Sequence, residues 1–318
     1  MDVIRIQELR KSFKSGWPGR PAVPALDGLC LAVSAGEIYG FLGPNGAGKT
    51  TTLKILMGLM KPDSGIVEIF GQVAGTVDIR KRIGFLPESP YFYDYLTARE
   101  FLFFYGELAG LDRMMLDARV SQLLDLVGLG HAEHRQLWKF SKGMLQRVGL
   151  AQAIIHDPEL VVLDEPMSGL DPVGRKHVRD LILRLREQGK TVFFSSHIIP
   201  DVEMICDRVG IVMKGKLLAA GRVEELVGHA HTQSVEIVCD GLAPQRLHAI
   251  RRMATDIVQR GKHSLIVLPG PDSVDDVVKA IHAQGGRLLA VTPQKGSLEE
   301  LFFQPPAGRA AVKAVVGE

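Results

Sequence analysis

The eight residues GPNGAGKT, Gly43–Thr50, constrain this chain more than any other stretch of it. They follow an apolar segment that predicts a buried strand, and they precede apolar residues at helical spacing. A strand, a glycine-rich turn and a helix in this order match the phosphate-loop pattern. The glycines let backbone N–H groups approach phosphate oxygens, and a helix N-terminus adds a favourable partial charge. A polyphosphate site is therefore predicted at this turn.

Each residue of this loop has a predicted part in holding a nucleotide. Lys49 would reach the β- and γ-phosphates, and the Thr50 hydroxyl would bind Mg²⁺. The predicted nucleotide contacts in the loop are Gly43, Pro44, Asn45, Gly46, Ala47, Gly48, Lys49, Thr50 and Thr51. A phosphate loop alone does not choose among kinases, GTPases and ATPases.

Two consecutive carboxylates, Asp164 and Glu165, narrow the choice among kinases, GTPases and ATPases. They directly follow the apolar run LVVL, which predicts a buried strand. A carboxylate at the end of a buried strand can lie beside Mg²⁺, and the next one can polarise an attacking water. We therefore predict that Asp164 binds the metal through water and that Glu165 is the general base. The alternative is an ordinary helix-capping pair after a strand. No Asn-Lys-x-Asp motif for reading guanine occurs, which counts against a GTPase.

The order of apolar patterns predicts an α/β fold with a mostly parallel sheet and a β-rich N-terminal part. Residues 97 to about 155 are predicted to be helical throughout, beginning at a capping box formed by Thr97 and Glu100. We place a nucleotide-binding domain at 1–230 and a small α/β domain at 231–304. The tail, 305–318, is predicted to be flexible.

Composition limits the partners that the chain can have. With 38 basic and 36 acidic side chains, no long-range field favours nucleic acid or a membrane surface, and no nucleic-acid partner is expected. No run approaches the roughly 18 apolar residues that a spanning helix requires, so any membrane role would depend on a partner. The three cysteines are far apart in sequence, which indicates buried thiols in a reducing cytosol.

Six motifs occur in a fixed order: GPNGAGKTT, LPE, FSKGMLQR, VVLDEP, SGLDP and SSH. Across roughly residues 3–225 this order resembles the ATP-binding cassette, the nucleotide-binding subunit of ABC transporters. The resemblance implies a phosphate-loop ATPase that binds ATP and Mg²⁺ and works as a head-to-tail dimer. In that dimer each ATP lies between the phosphate loop of one subunit and the signature segment of the other.

The resemblance also assigns roles to residues outside the phosphate loop. Ser141 and Gly143 would donate to the γ-phosphate held by the facing subunit, although Ser141 is equally an ordinary cap of its own helix. His197 matches the switch histidine that contacts the γ-phosphate, which completes a predicted catalytic set with Lys49 and Glu165.

Three further positions take contacts from the same resemblance. Glu88 stands where the family commonly has a glutamine that senses the nucleotide, and it would touch Mg²⁺ or its water. Asp171 matches the loop that meets the opposite subunit, and Phe13 matches the aromatic that stacks on adenine. The signature also departs from the usual Leu-Ser-Gly-Gly-Gln, because Phe140, Lys142 and Met144 replace Leu, Gly and Gln.

The aromatic segment Tyr91–Tyr105 is predicted to be a protein interface. The resemblance places the groove for a membrane permease here, so the subunit is expected on the cytoplasmic face of the membrane. The C-terminal part, including GSLEELF, resembles exporter ATPases, which favours export. The alternatives are a non-transport cassette ATPase and a nucleotide-binding regulator. The sequence does not identify the transported substrate.

Overall fold

The computed structural model describes residues 1–14, 22–229, 234–242, 250–293, 298–299 and 301. The contacts between residues divide the chain into two compact units. The first unit contains Met1–Val223, and the second is Glu224–Pro305. The division falls a few residues before the predicted boundary at 230. Each unit has a buried hydrophobic cluster made only of its own residues.

The strands of the first unit form two sheets. They are β1 (Asp2–Phe13), β2 (Val23–Ser34), β3 (Ile38–Leu42), β4 (Ser64–Ile69), β5 (Gln72–Val73), β6 (Ile83–Leu86), β7 (Leu160–Leu163), β8 (Thr191–Ser196), β9 (Arg208–Met213) and β10 (Lys216–Arg222). The helices of the first unit are α1 (Lys49–Leu56), α2 (Val77–Arg80), α3 (Ala98–Leu108), α4 (Arg113–Leu126), α5 (Lys142–Ala153), α6 (Pro172–Glu187) and α7 (Ile199–Ile205), and α8 (Val223–His229) begins at the last residue before the second unit.

The smaller sheet of this unit is antiparallel, with the order β2-β1-β4-β5. Strand β1 alternates exposed and buried residues in its first half, since one face of the sheet packs on the core. This sheet confirms the predicted β-rich N-terminal part.

The larger sheet has the order β10-β9-β3-β8-β7-β6 and is parallel except at β10. Strands β3, β7 and β8 are buried along their whole length, as expected for parallel strands covered on both faces. Their carboxyl ends meet at one edge, which is where ligands bind in open α/β sheets. The predicted mostly parallel sheet is confirmed, and it brings the segments after these three strands together.

The helical segment after residue 97 is less continuous than predicted. Helix α3 begins with the predicted capping box, because Thr97 accepts from the Glu100 N–H and Glu100 accepts from the Thr97 N–H. The prediction of helix throughout to 155 is wrong, since α4 ends at Leu126 and α5 begins only at Lys142. Gly128, with a positive φ of 67°, ends the regular helix, and two single 3-10 turns follow.

The second unit contains β11 (Val235–Asp240), β12 (Asp256–Arg260), β13 (His263–Leu268), α9 (Val274–Ala283) and β14 (Arg287–Pro293). The four strands form an antiparallel sheet with the order β12-β13-β11-β14. Val277 and Ile281 of α9 are buried with Ile237 and Ile266 of the sheet. The segment before β12 is described only from Ile250, where Ile250–Arg252 forms one 3-10 turn, and 243–249 lies outside the described residues. Most of GSLEELF and the tail 305–318 also lie outside them.

Candidate nucleotide-binding site

The loop between β3 and α1 has two glycines with positive φ that serve different purposes. Gly46 has a φ of 79°, and a Cβ added to it would meet nothing within 4 Å, so this side of the loop is open to an approaching ligand. Gly48 has a φ of 106°, and a Cβ there would lie 2.6 Å from the Ala25 carbonyl oxygen. Gly46 therefore leaves room for a ligand, whereas Gly48 lets the loop pack against its own protein.

Lys49 begins α1, and its side chain is buried at the centre of the site. The ammonium donates to the carbonyl oxygens of Gly43 and Pro44 at 2.6 and 3.2 Å. It also lies 3.1 Å from Glu165 Oε1. Two of the three predicted catalytic residues are thus in direct ionic contact.

Asp164 follows the last residue of β7 and meets the two hydroxyls nearest to it. Thr50 Oγ1 donates to Asp164 Oδ1 at 3.3 Å, and Ser195 Oγ donates to the same oxygen at 2.7 Å. Burial raises the pKa of Asp164, and the two hydrogen bonds oppose that rise. Thr50 and Asp164, two of the predicted Mg²⁺ ligands, are therefore within hydrogen-bond reach of each other.

Glu165 is buried and has a backbone φ of 50°, a conformation that costs a non-glycine residue energy. Its N–H donates to Ser195 Oγ at 2.8 Å, which helps to hold this conformation. Its Oε2 lies 2.8 Å from His197 Nδ1, whereas its buried Oε1 has, among the described residues, the ionic contact with Lys49 and no further hydrogen-bond partner. The strained backbone points the carboxylate between Lys49 and His197.

Lys49, Thr50 and Glu165 border a cleft of about 320 Å³. Its described lining is Ala25, Asn45, Gly46, Gly48, Lys49, Thr50, Thr51, Glu88 and Glu165. Glu88 is exposed at this cleft, as its predicted contact with the metal requires. A cationic loop at a helix start fits a polyphosphate.

The donors at the cleft also fit a Mg²⁺ ion. One hydroxyl and two carboxylates, together with phosphate oxygens, suit Mg²⁺, which is held by few protein ligands. Among the described residues, no group of three His, Cys, Asp or Glu side chains is placed to hold a metal alone.

Ser141, Gly143 and Asp171 do not line this cleft in the described structure. Ser141 caps α5 by accepting from the Met144 N–H, and Asp171 caps α6 by accepting from the Gly174 N–H. The two segments are neighbours, because the Lys142 side chain lies across Gly169 and leaves no room there for a Cβ. They form a second cluster, which we call the signature cluster (residues 141–143 and 168–171).

Phe13 ends β1 with its ring partly exposed, and it is not among the described residues that line the cleft. The aromatics of Tyr91–Tyr105 form a chain of ring contacts. Tyr91, Tyr95 and Phe104 are exposed members of this chain, while Phe101 is buried beneath it. The segment is therefore an exposed aromatic surface that packs on the buried Phe101.

Ser195 is a residue of the site to which the motif gave no role. It is fully buried at the end of β8, and it joins Asp164 to the backbone of Glu165. The available signal was a pair of serines, Ser195 and Ser196, directly after the apolar residues Val192–Phe194 of a strand, because buried hydroxyls need hydrogen-bond partners.

The fold and the cleft together define a phosphate-loop ATPase cassette. The family model described as ABC transporter matches residues 26–168. An uncharacterized ABC transporter ATP-binding protein of Synechocystis sp. is 42% identical over 307 residues, which are 95% of this chain and 84% of that protein. The chain belongs to the ATP-binding subunits of ABC transporters, and it is an ATPase of this family.

Two further comparisons extend the match. The linearmycin resistance ATP-binding protein LnrL of Bacillus subtilis is 34% identical over 310 residues, covering 95% of this chain and 97% of that protein. A solved ATP-binding cassette, described as a dimer in a post-hydrolysis state bound to ADP and Pi, aligns with a TM-score of 0.63 and 25% identity. That alignment covers 69% of this chain and 98% of the solved one.

Over the part that the structure describes, no helix combines the length and the apolar character needed to cross a bilayer.

Proposed function

We propose that the chain binds MgATP in the cleft, pairs with a second cassette and hydrolyses ATP to drive export through a separate permease. The contact of Lys49, Glu165 and His197 at the sheet edge, beside Thr50 and Asp164, carries this proposal. These are the positions at which the sequence predicts the catalytic base, the γ-phosphate contacts and the metal ligands. Resistance to linearmycin in a relative that matches nearly full length supports export.

In this proposal each polar group has one task. Glu165 Oε1, whose contact among the described residues is with Lys49, accepts the proton of the attacking water, and His197 holds the same carboxylate in place through Oε2. Lys49 binds the phosphate oxygens instead of the loop carbonyls. Thr50, Asp164 and Glu88 would hold Mg²⁺, which neutralises phosphate charge when it is bound.

The signature cluster supports the pairing of two subunits. It carries Ser141 and the N-terminus of α5, which suit a phosphate, yet it does not line the cleft of its own chain. A second subunit, placed head to tail, would bring its Ser141 and Gly143 to this cleft and its Asp171 loop to the interface. The Phe13 ring would then stack on the adenine.

We propose that the permease binds at the aromatic surface Tyr91–Tyr105, which would hold the subunit at the cytoplasmic face of the membrane. Tyr91, Tyr95 and Phe104 are exposed there, and aromatics are enriched in protein interfaces. Substituting Tyr91 and Tyr95 with Ala should weaken co-purification with the permease encoded for this subunit without reducing ATP binding. A matched control is Met114→Ala, another exposed apolar side chain, on α4. Unchanged co-purification of the tyrosine variant would exclude this surface.

The test of the proposed function compares wild type with Glu165→Gln and Glu159→Gln. Glu159 is a carboxylate just before β7 that pairs with Arg82 on the surface, so it controls for the loss of charge. We expect Mg²⁺-dependent hydrolysis in wild type and Glu159→Gln, a loss of at least about 100-fold in Glu165→Gln, and an ATP-dependent dimer of Glu165→Gln by light scattering. Hydrolysis by Glu165→Gln at the wild-type rate would remove the general-base assignment. If no ATP-dependent dimer formed, the proposal that two subunits pair around ATP would be wrong.

A further inference from the structure

The helices α6 and α7 each begin beside a segment that the proposed function uses. Asp171 caps α6, and His197 lies two residues before α7. Helix α7 has only seven residues, no side-chain cap at its start, and Pro200 in its first turn. Its position, and with it that of His197, depends on contacts with its neighbours.

Asp201 supplies one of these contacts, a buried ion pair with α6. Its side chain is only 4% exposed, and its Oδ1 accepts from Arg179 Nη1 of α6 at 2.6 Å. Burying a carboxylate is costly even when it is paired, and well-packed apolar residues often stabilise a core as well or better. The pair therefore calls for a reason besides stability.

Arg175, one turn before Arg179 on α6, lies between the signature cluster and Asp201 of α7. Its Nε donates to the Leu170 carbonyl oxygen at 3.3 Å, within the signature cluster. Its Nη1 lies 3.9 Å from Asp201 Oδ2, too far for a hydrogen bond. That buried oxygen has no hydrogen-bond partner in the described structure.

We infer that Arg175 and Asp201 connect the 168–171 loop to His197, so that pairing of two subunits at this loop positions His197 for hydrolysis. The inference rests on the proposed function. Arg179 fixes one oxygen of Asp201 to α6, and the other oxygen is free to accept from Arg175. Contact of a second subunit with the loop moves the Leu170 carbonyl and Arg175, and the 3.9 Å gap closes to a hydrogen bond. Asp201 is then a positioning residue, which acts through His197 and touches no reacting atom.

The closing experiment measures hydrolysis kinetics of Asp201→Asn and Arg175→Gln against Arg186→Gln. Arg186 also joins α6 to the end of the α7 segment, through Asp207 at 2.6 Å, but it is far along α6 from the loop. We expect kcat to fall at least about tenfold in the first two variants, with KM changed less than about twofold, and near wild-type kinetics for Arg186→Gln. Asp201→Glu, which keeps the carboxylate, should recover part of kcat.

Two further readouts separate positioning from a general loss of structure. In a Glu165→Gln background, Asp201→Asn should still form the ATP-dependent dimer. In a His197→Ala background, Asp201→Asn should lower kcat no further, because a residue that acts through His197 has nothing left to position.

An unchanged kcat for Asp201→Asn, or an equal loss with and without His197, would overturn the inference. If Asp201→Asn unfolds, Arg175→Gln and Arg175→Lys answer the same question at a partly exposed side chain. Failure of wild type to hydrolyse ATP, or of Glu165→Gln to dimerise, would instead refute the proposed function.

Discussion

At the residue scale, the phosphate loop uses glycine twice for different physical reasons. A side chain at Gly46 would meet only the cost of a positive φ, whereas one at Gly48 would also overlap the Ala25 carbonyl and Leu26. Substitutions at Gly46 and Gly48 therefore separate the cost of backbone strain from the cost of steric overlap.

We predict that Gly48→Ala destabilises the protein by roughly 2–4 kcal/mol and abolishes ATP binding, because both strain and overlap act on the loop. Gly46→Ala should cost about 1 kcal/mol, from strain alone. Urea unfolding and titration with a fluorescent ATP analogue measure the two effects. Equal losses in the two variants would show that overlap at Gly48 is unimportant.

Residue types at this site could be predicted from the sequence, but their conformations could not. Lys49, Thr50, Asp164 and Glu165 are placed by motifs whose spacing follows from a strand and a turn. The left-handed backbone of Glu165 and the two hydrogen bonds of the Ser195 hydroxyl depend on two strands that are about thirty residues apart in sequence. Local patterns contain no information on that approach, because it is decided by how β7 and β8 pair.

At the element scale, the connection after α5 contains a half-buried histidine, His156. His156 Nε2 lies 3.1 Å from the Ile83 carbonyl oxygen, at the first residue of β6. Burial lowers the pKa of His156 below its ordinary value, since desolvation disfavours the charged ring. Protonation of His156 is therefore expected to disfavour the fold at this edge of the parallel sheet.

Because the pKa of His156 is lowered on folding, the unfolded chain binds more protons below about pH 6.5, and stability falls as the pH is lowered through that range. We predict that His156→Gln loses less stability than wild type between pH 7.5 and 5.5 when urea unfolding is measured at both values. His131→Gln, at an exposed histidine, serves as the control. An identical loss in wild type and His156→Gln would contradict the prediction.

The elements also show which local rules were reliable. The capping box at Thr97 was predicted correctly because all of its atoms lie within four residues. The break between α4 and α5 was missed because its apolar residues continue at helical spacing. The helix ends instead at the positive φ of Gly128, and the segment before α5 is held by the isolated β-bridge between Thr97 and Gln136.

At the scale of the whole molecule, two separate cores predict two unfolding steps. Ile281 is fully buried in the core of the second unit. We expect Ile281→Ala to lower the stability of that unit by about 2–5 kcal/mol and to leave the other transition in place.

MgATP should raise only the transition of the first unit, because a ligand stabilises the part that binds it. Differential scanning calorimetry with and without MgATP measures both effects. One transition that moves as a whole under either change would show that the units unfold together. Nothing in the sequence pattern of the second unit indicated a cooperative link between the two units.

The separation of the signature cluster from the cleft has a consequence for how fast the subunit can work alone. If one active centre needs groups from two chains, the rate per chain in dilute solution rises with protein concentration. A permease that carries two cassettes would replace that dependence with a fixed effective concentration, which reaches the millimolar range for short tethers. A slow, second-order rate for the isolated subunit would then be the expected behaviour, and the membrane partner would act as the scaffold that makes turnover independent of abundance.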